Sequence, residues 1–63
     1  MKRFLTEREL SELTGIAVRT LQRWRLENYG PRWRRLGGRA IKYDRADVEA
    51  WIAAAPSGGG AER

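Results

Sequence analysis

Cysteine and histidine are both absent from this chain of 63 residues. Without cysteine there is no disulfide to staple so small a fold, and without either residue the usual zinc ligand set is missing. The imidazole best suited to general base work near neutral pH is missing too. Ser11 and Ser57 are the only serines; neither has a histidine to activate it, and no glycine-rich strand-to-helix phosphate loop occurs. No catalytic residue, metal ligand or cofactor is therefore expected. Long apolar runs are lacking as well. Met1-Lys2-Arg3-Phe4-Leu5 is too short for a signal peptide or a membrane span, which points to a cytosolic protein with no membrane partner.

What the chain does have is charge, unevenly placed. Eleven arginines and two lysines face eight acids, for a net charge of +5. Nine of those basic residues and only two acids, Glu27 and Asp44, lie between Arg19 and Arg45, a local charge of +7; the remainder holds four basic residues and six acids, −2. A host-genome preference for arginine would raise the number but not choose the place. A module of this length holds one thin core, so a concentrated positive face on it points to phosphates.

The elements can be read in order. Thr6-Glu7-Arg8-Glu9 has the form of a capping box, with Leu5 and Leu10 as its hydrophobic staple. Leu10 and Leu13 are then expected to face inward, leaving Glu7, Arg8, Ser11 and Glu12 to solvent. Gly15 supplies the left-handed residue that ends this helix, with Ile16 packing back on it. A second helix is expected from about Val18 to Asn28, although Ala17 is a poor N-cap. Val18, Leu21 and Trp24 share one arc of it, and Arg19 and Arg23 sit one turn apart on the opposite side with Gln22 flanking them. Arg25 breaks the pattern; its stem should lie on the core edge, with its head reaching Glu9, Glu12 or a phosphate.

Tyr29-Gly30-Pro31 stops the helix. Gly37-Gly38 then reads as the turn of a hairpin whose register is open: a two-residue loop opposes Leu36 to Arg39 and puts Leu36, Ile41 and Tyr43 on one face, and a four-residue loop opposes Leu36 to Ile41. Asp44 is placed to cap a third helix with Asp47 in its first turn and Val48, Trp51, Ile52 and Ala55 inward. From Pro56 onward nothing is available to bury, so residues 1–55 are expected to form the domain and 56–63 a flexible tail.

Two constellations carry the functional reading. A helix in the major groove presents only a few exposed positions to base edges, and Arg19, Thr20, Gln22 and Arg23 supply forked or short polar groups there: arginine for guanine, glutamine for adenine, threonine for a phosphate or a thymine methyl. The bland alternative is a solvated helix face. On the hairpin, Arg39 at the tip would enter the minor groove or grip its phosphates, with Arg34, Arg35 and Lys42 on the flanking backbone. Charges that protect an edge strand from aggregation are the alternative. The tryptophans could serve as stacking platforms for single-stranded bases, but core is the preferred reading, with Trp24 and Trp51 on apolar arcs and Trp33, between two arginines, the exception that could be partly exposed on the wing.

Leu5 to Ile16, then Arg19-Thr20-Leu21-Gln22-Arg23-Trp24, Leu36-Gly37-Gly38-Arg39, and Tyr43 to Ile52 together resemble the excisionase family of small MerR-like winged helix-turn-helix proteins, which includes phage recombination directionality factors and AlpA-like regulators. The similarity covers about residues 4 to 54. It implies a mainly α fold of three helices plus a two-stranded wing. Arg19, Thr20, Gln22 and Arg23 resemble the family's groove-facing helix positions, and Arg39 its wing-tip arginine; Ala17 departs from the usual polar cap. Full MerR regulators add a dimerising helix and an effector domain for which no residues remain, so no small-molecule ligand is expected.

The resemblance implies an architectural protein of a bacterial host's cytoplasm that binds double-stranded attachment-site DNA, self-associates along adjacent sites, bends the DNA and directs an integrase towards excision. An AlpA-like transcriptional regulator would share the fold and the groove contacts. A basic protein-interaction adaptor is the reading from another class, and predicts no preference among DNA sequences.

Overall fold

The computed structural model describes residues 2–56. The chain runs β1 (Phe4–Leu5), α1 (Glu7–Thr14), α2 (Val18–Leu26), β2 (Arg34–Leu36), β3 (Ala40–Asp44) and α3 (Arg45–Ala54). Three helices and a hairpin wing are the architecture the sequence implied. The flexible tail expected from residue 56 falls, Pro56 apart, outside the described residues.

The helix boundaries follow local chemistry. At the start of α1 the Glu9 amide donates to the Thr6 hydroxyl (3.0 Å) and the Thr6 amide to the Glu9 carboxylate (2.9 Å), closing the capping box. Gly15 ends the helix at φ 78° and its amide donates to the Ser11 carbonyl at 2.7 Å. α2 starts at Val18 with no side-chain cap from Ala17, and it ends at Leu26, two residues short of the expected Asn28. Asn28 has already turned into the left-handed region, at φ 57°. Gly30 must be glycine: its φ is 90°, and a Cβ there would lie 2.9 Å from the Trp24 ring. Asp44 closes β3 and caps α3 in one residue, accepting from the Ala46 amide at 3.0 Å.

The sheet has a third strand that the sequence reading missed. β1 pairs antiparallel with β3 through Phe4↔Asp44 and Leu5↔Tyr43, giving the order β1-β3-β2. Two residues are too few to show an alternation; only the tertiary pairing makes them a strand. Leu5, Leu10, Leu21, Tyr43 and Val48 form the buried core, one side chain from each of β1, α1, α2, β3 and α3. Ile16, Trp24, Trp33 and Ile41 pack around it.

That core is thin, and it corrects several expectations. Leu13 is 52% exposed and Ile52 45%; Ala55 is exposed as well. On α1, at about 100° per residue, Leu13 lies roughly 60° to one side of Leu10, and Glu7 and Thr14 lie to the other. The buried arc is rotated toward Glu7, which is not left to solvent.

The hairpin takes neither anticipated register. Leu36 pairs with Ala40, so the loop is Gly37-Gly38-Arg39, with both glycines at positive φ. Leu36 is thereby turned to the face opposite Ile41 and Tyr43. Either anticipated register would have buried Leu36 and turned Trp33 outward. The observed one puts Trp33 on the core face, and an indole removes more apolar area from water than a leucine side chain does.

Candidate nucleic-acid interface

The register decides which way the wing's cations point. Directly opposed residues in an antiparallel ladder share a face. Arg34 opposes Lys42 on the outer face, and Arg35 opposes Ile41 on the inner one. Arg39 occupies the third loop position and is exposed at the tip. The ribbon therefore carries positive charge on both faces and at its end. The Arg34–Lys42 pair is unfavourable in isolation, because like charges directly across a ladder repel.

On α2 the separation into two faces holds. Leu21 is buried, Val18 and Trp24 are half-buried, and Arg19, Gln22 and Arg23 are exposed. Thr20 is half-buried, so it offers less reach than its neighbours.

Ion pairing divides the basic residues sharply. Lys2 is bonded to Glu9, Arg3 to Asp44, Arg25 to Glu7, and Arg45 lies 3.9 Å from Glu49. Among the described residues no carboxylate lies within salt-bridge distance of Arg19, Arg23, Arg34, Arg35, Arg39 or Lys42, nor of Arg8 and Arg32. The basic residues expected on the α2 reading face and on the wing thus have no carboxylate partner among the described residues. Arg32 was not nominated, yet it is exposed on the connection leading into β2; its place beside the wing is the signal that would have found it.

Arg25 is the basic residue of α2 that is taken inward. Its Nε donates to a Glu7 carboxylate oxygen at 3.0 Å, and the Tyr43 hydroxyl donates to the same oxygen at 2.8 Å. The partner is Glu7, on the same helix but two residues before Glu9 and five before Glu12, the carboxylates the sequence suggested. The bond to Glu7 holds the Arg25 guanidinium above its ordinary pKa. Burial, then the bond to Glu7, raises the Tyr43 phenol. The Arg25 guanidinium lies 5.6 Å from the centre of the Trp33 ring and that of Arg35 5.7 Å from the same centre. Trp33 is half-buried and packed on the core. Trp24 is held between Tyr29, edge-on at 4.9 Å, and Trp51 at 5.8 Å. All three indoles therefore have intramolecular packing roles, which favours core over stacking platforms.

Two carboxylates are held low by their own caps and partners. Glu9 falls from its ordinary 4.5 to about 2, through the Lys2 ammonium first and then the Thr6 amide. Asp44 is lowered by the Ala46 amide and then by Arg3. Among the described residues no three groups of the metal-ligating kind gather, and no helix is long and apolar enough to cross a membrane.

A turn-linked helix pair with one polar face on the second helix, followed by a cationic hairpin, is the layout of a DNA-reading module. No curated protein matches the chain significantly. The family model of the helix-turn-helix domain matches residues 4–56, and the chain belongs to that family of DNA-binding domains.

Proposed function

We propose that this helix-turn-helix protein binds duplex DNA sequence-specifically as an excisionase: it occupies attachment-site DNA, bends it, and directs an integrase towards excision. In this reading α2 enters the major groove. Arg19, Gln22 and Arg23 meet base edges there, and Thr20 meets a phosphate or a thymine methyl. The wing enters the adjacent minor groove tip first with Arg39, while Arg34 and Lys42 on one face and Arg35 on the other meet the backbone.

The observation that carries the reading is the partition of ion pairs. Cations elsewhere in the fold mostly have carboxylate partners, and those on the α2 face and the wing have none among the described residues. A minor groove about 6 Å wide has a phosphate backbone on each side, and a ribbon with cations on both faces suits it better than a flat acidic surface would. The like charges of Arg34 and Lys42, set opposite one another, are well placed to be neutralised by phosphates standing beside them. Bending DNA costs a few kcal/mol, which clustered phosphate contacts can offset.

Selection of bound duplexes from a randomised pool tests the base-reading step. Enrichment of one motif supports α2 as reader, and no enrichment leaves a basic adaptor. Closely spaced repeats of that motif, followed by stimulated excision in a reconstituted recombination reaction, support the excisionase role. Promoter occupancy with no recombination activity assigns the protein instead to the AlpA-like regulators.

A further inference from the structure

Glu7 gathers three elements onto one carboxylate. It begins α1, receives Arg25 from the last turn of α2 and receives the Tyr43 hydroxyl from β3. A longer contact from Arg25 Nη2 to the other Glu7 oxygen, at 3.5 Å, adds a second prong. The side chains of Arg25 and Glu7 are only 17% and 13% exposed, so the pair is shielded from salt in a way surface pairs are not. The guanidinium held there also lies over Trp33, the residue that leads into β2. One network thus ties the helix that would read bases to both strands of the wing.

We propose that Glu7 is a positioning residue that fixes the angle and spacing between α2 and the wing, so that the major-groove and minor-groove contacts are accepted only at one separation along the DNA. The inference rests on the DNA-reading assignment above. With only a thin core beneath them, α2 and β3 have little other polar linkage, and the shared carboxylate is the joint that resists their relative rotation. It also holds Arg25 away from the phosphates, leaving base and backbone contacts to residues on the exposed face.

The test uses the full chain and two duplexes: the selected site, and the same site with one base pair inserted between its helix-contacted and wing-contacted segments. The insertion moves the segments apart by about 3.4 Å and about 35° of helical rotation. Wild-type protein should lose about tenfold or more in affinity on the inserted duplex, comparable to a mismatched base pair. Glu7→Gln, which keeps the shape and removes the charge, should reduce that penalty to about threefold or less, a change on the order of half a decade in Kd.

Tyr43→Phe removes only the hydroxyl, should reduce the penalty in the same direction, and decides the matter alone if Glu7→Gln does not fold. A purely structural role would lower the melting temperature and weaken both duplexes alike, leaving the ratio unchanged. An unchanged ratio in folded variants, or no insertion penalty in the wild type, overturns the proposal. A wild type that prefers no DNA sequence sinks the parent reading instead.

Discussion

Two sets of arginines in this molecule behave in opposite ways. Arg3 and Arg25 are bonded to carboxylates elsewhere in the fold, and Arg45 lies 3.9 Å from Glu49 within α3. Arg19, Arg23, Arg34, Arg35 and Arg39 have no such partner among the described residues and lie on α2 and the wing. Residue type is the same in both sets, so charge alone does not separate structure from function; the geometry of the neighbouring acids does. Arg23 and Arg25 make the point most directly. They are two residues apart on one helix, yet one is exposed and the other is bonded to Glu7 at 3.0 Å.

The comparison is broken most forcefully at its tied end. Glu7→Ala leaves a guanidinium and a phenol without their acceptor in a shielded site, and should lower fold stability by about 3 kcal/mol, read by urea denaturation. A loss near zero would place Arg25 with the free set. Gly30→Ala, which meets the Trp24 ring and holds an unfavourable φ, should cost about 2 kcal/mol in the same measurement. It tests whether the end of α2 is fixed as tightly as its bonded arginine implies.

At the free end, Arg23→Ala should change stability by no more than about 0.5 kcal/mol. It should weaken cognate binding by about 1–3 kcal/mol and relax base preference in a repeat of the duplex selection. A mutant with an unchanged site preference would remove α2 as the base reader. Arg39→Ala should weaken all duplexes evenly and reduce the salt slope of log K by about 0.9, as expected for one lost phosphate contact.

The smallest effect is acid sensitivity. Glu9 is held at about 2 in the fold, below its ordinary 4.5, and Asp44 is lowered too. A depressed folded pKa favours folding above the ordinary carboxylate range, and that contribution is lost as pH falls from about 4.5 toward 2. Circular dichroism melts over that window should show the midpoint falling. Lys2→Ala should flatten the fall, because Lys2 is the chief cause of the Glu9 shift. Tyr43 has the opposite sign: its raised pKa favours folding below pH 10, and that contribution is lost as pH rises above it.

Much of this is legible in the sequence. The capping box at Thr6, the left-handed Gly15, the start of α2 at Val18 and the Asp44 cap are local, each decided within a few residues, and each stands as read. The exposure of Arg19 and Arg23, with Gln22 flanking them, follows from helical period. What escaped the reading is non-local. β1 is a strand only because β3 lies beside it. Glu7 and Arg25 are 18 positions apart, and Glu7 and Tyr43 36, with no pattern in between to announce them.

Leu13 looked inward by spacing, but the helix is rotated toward the carboxylate that Arg25 and Tyr43 draw in. The hairpin loop was undecided because two glycines permit several turns; the register adopted sets Trp33 on the core face. By itself, then, the sequence determined the helices, their caps, the wing and the stretch in which positive charge collects, since those depend on backbone propensity and period. The tertiary structure alone decided which cations are used up inside the fold and which face the wing turns outward, because pairing and burial are settled between elements and not within them.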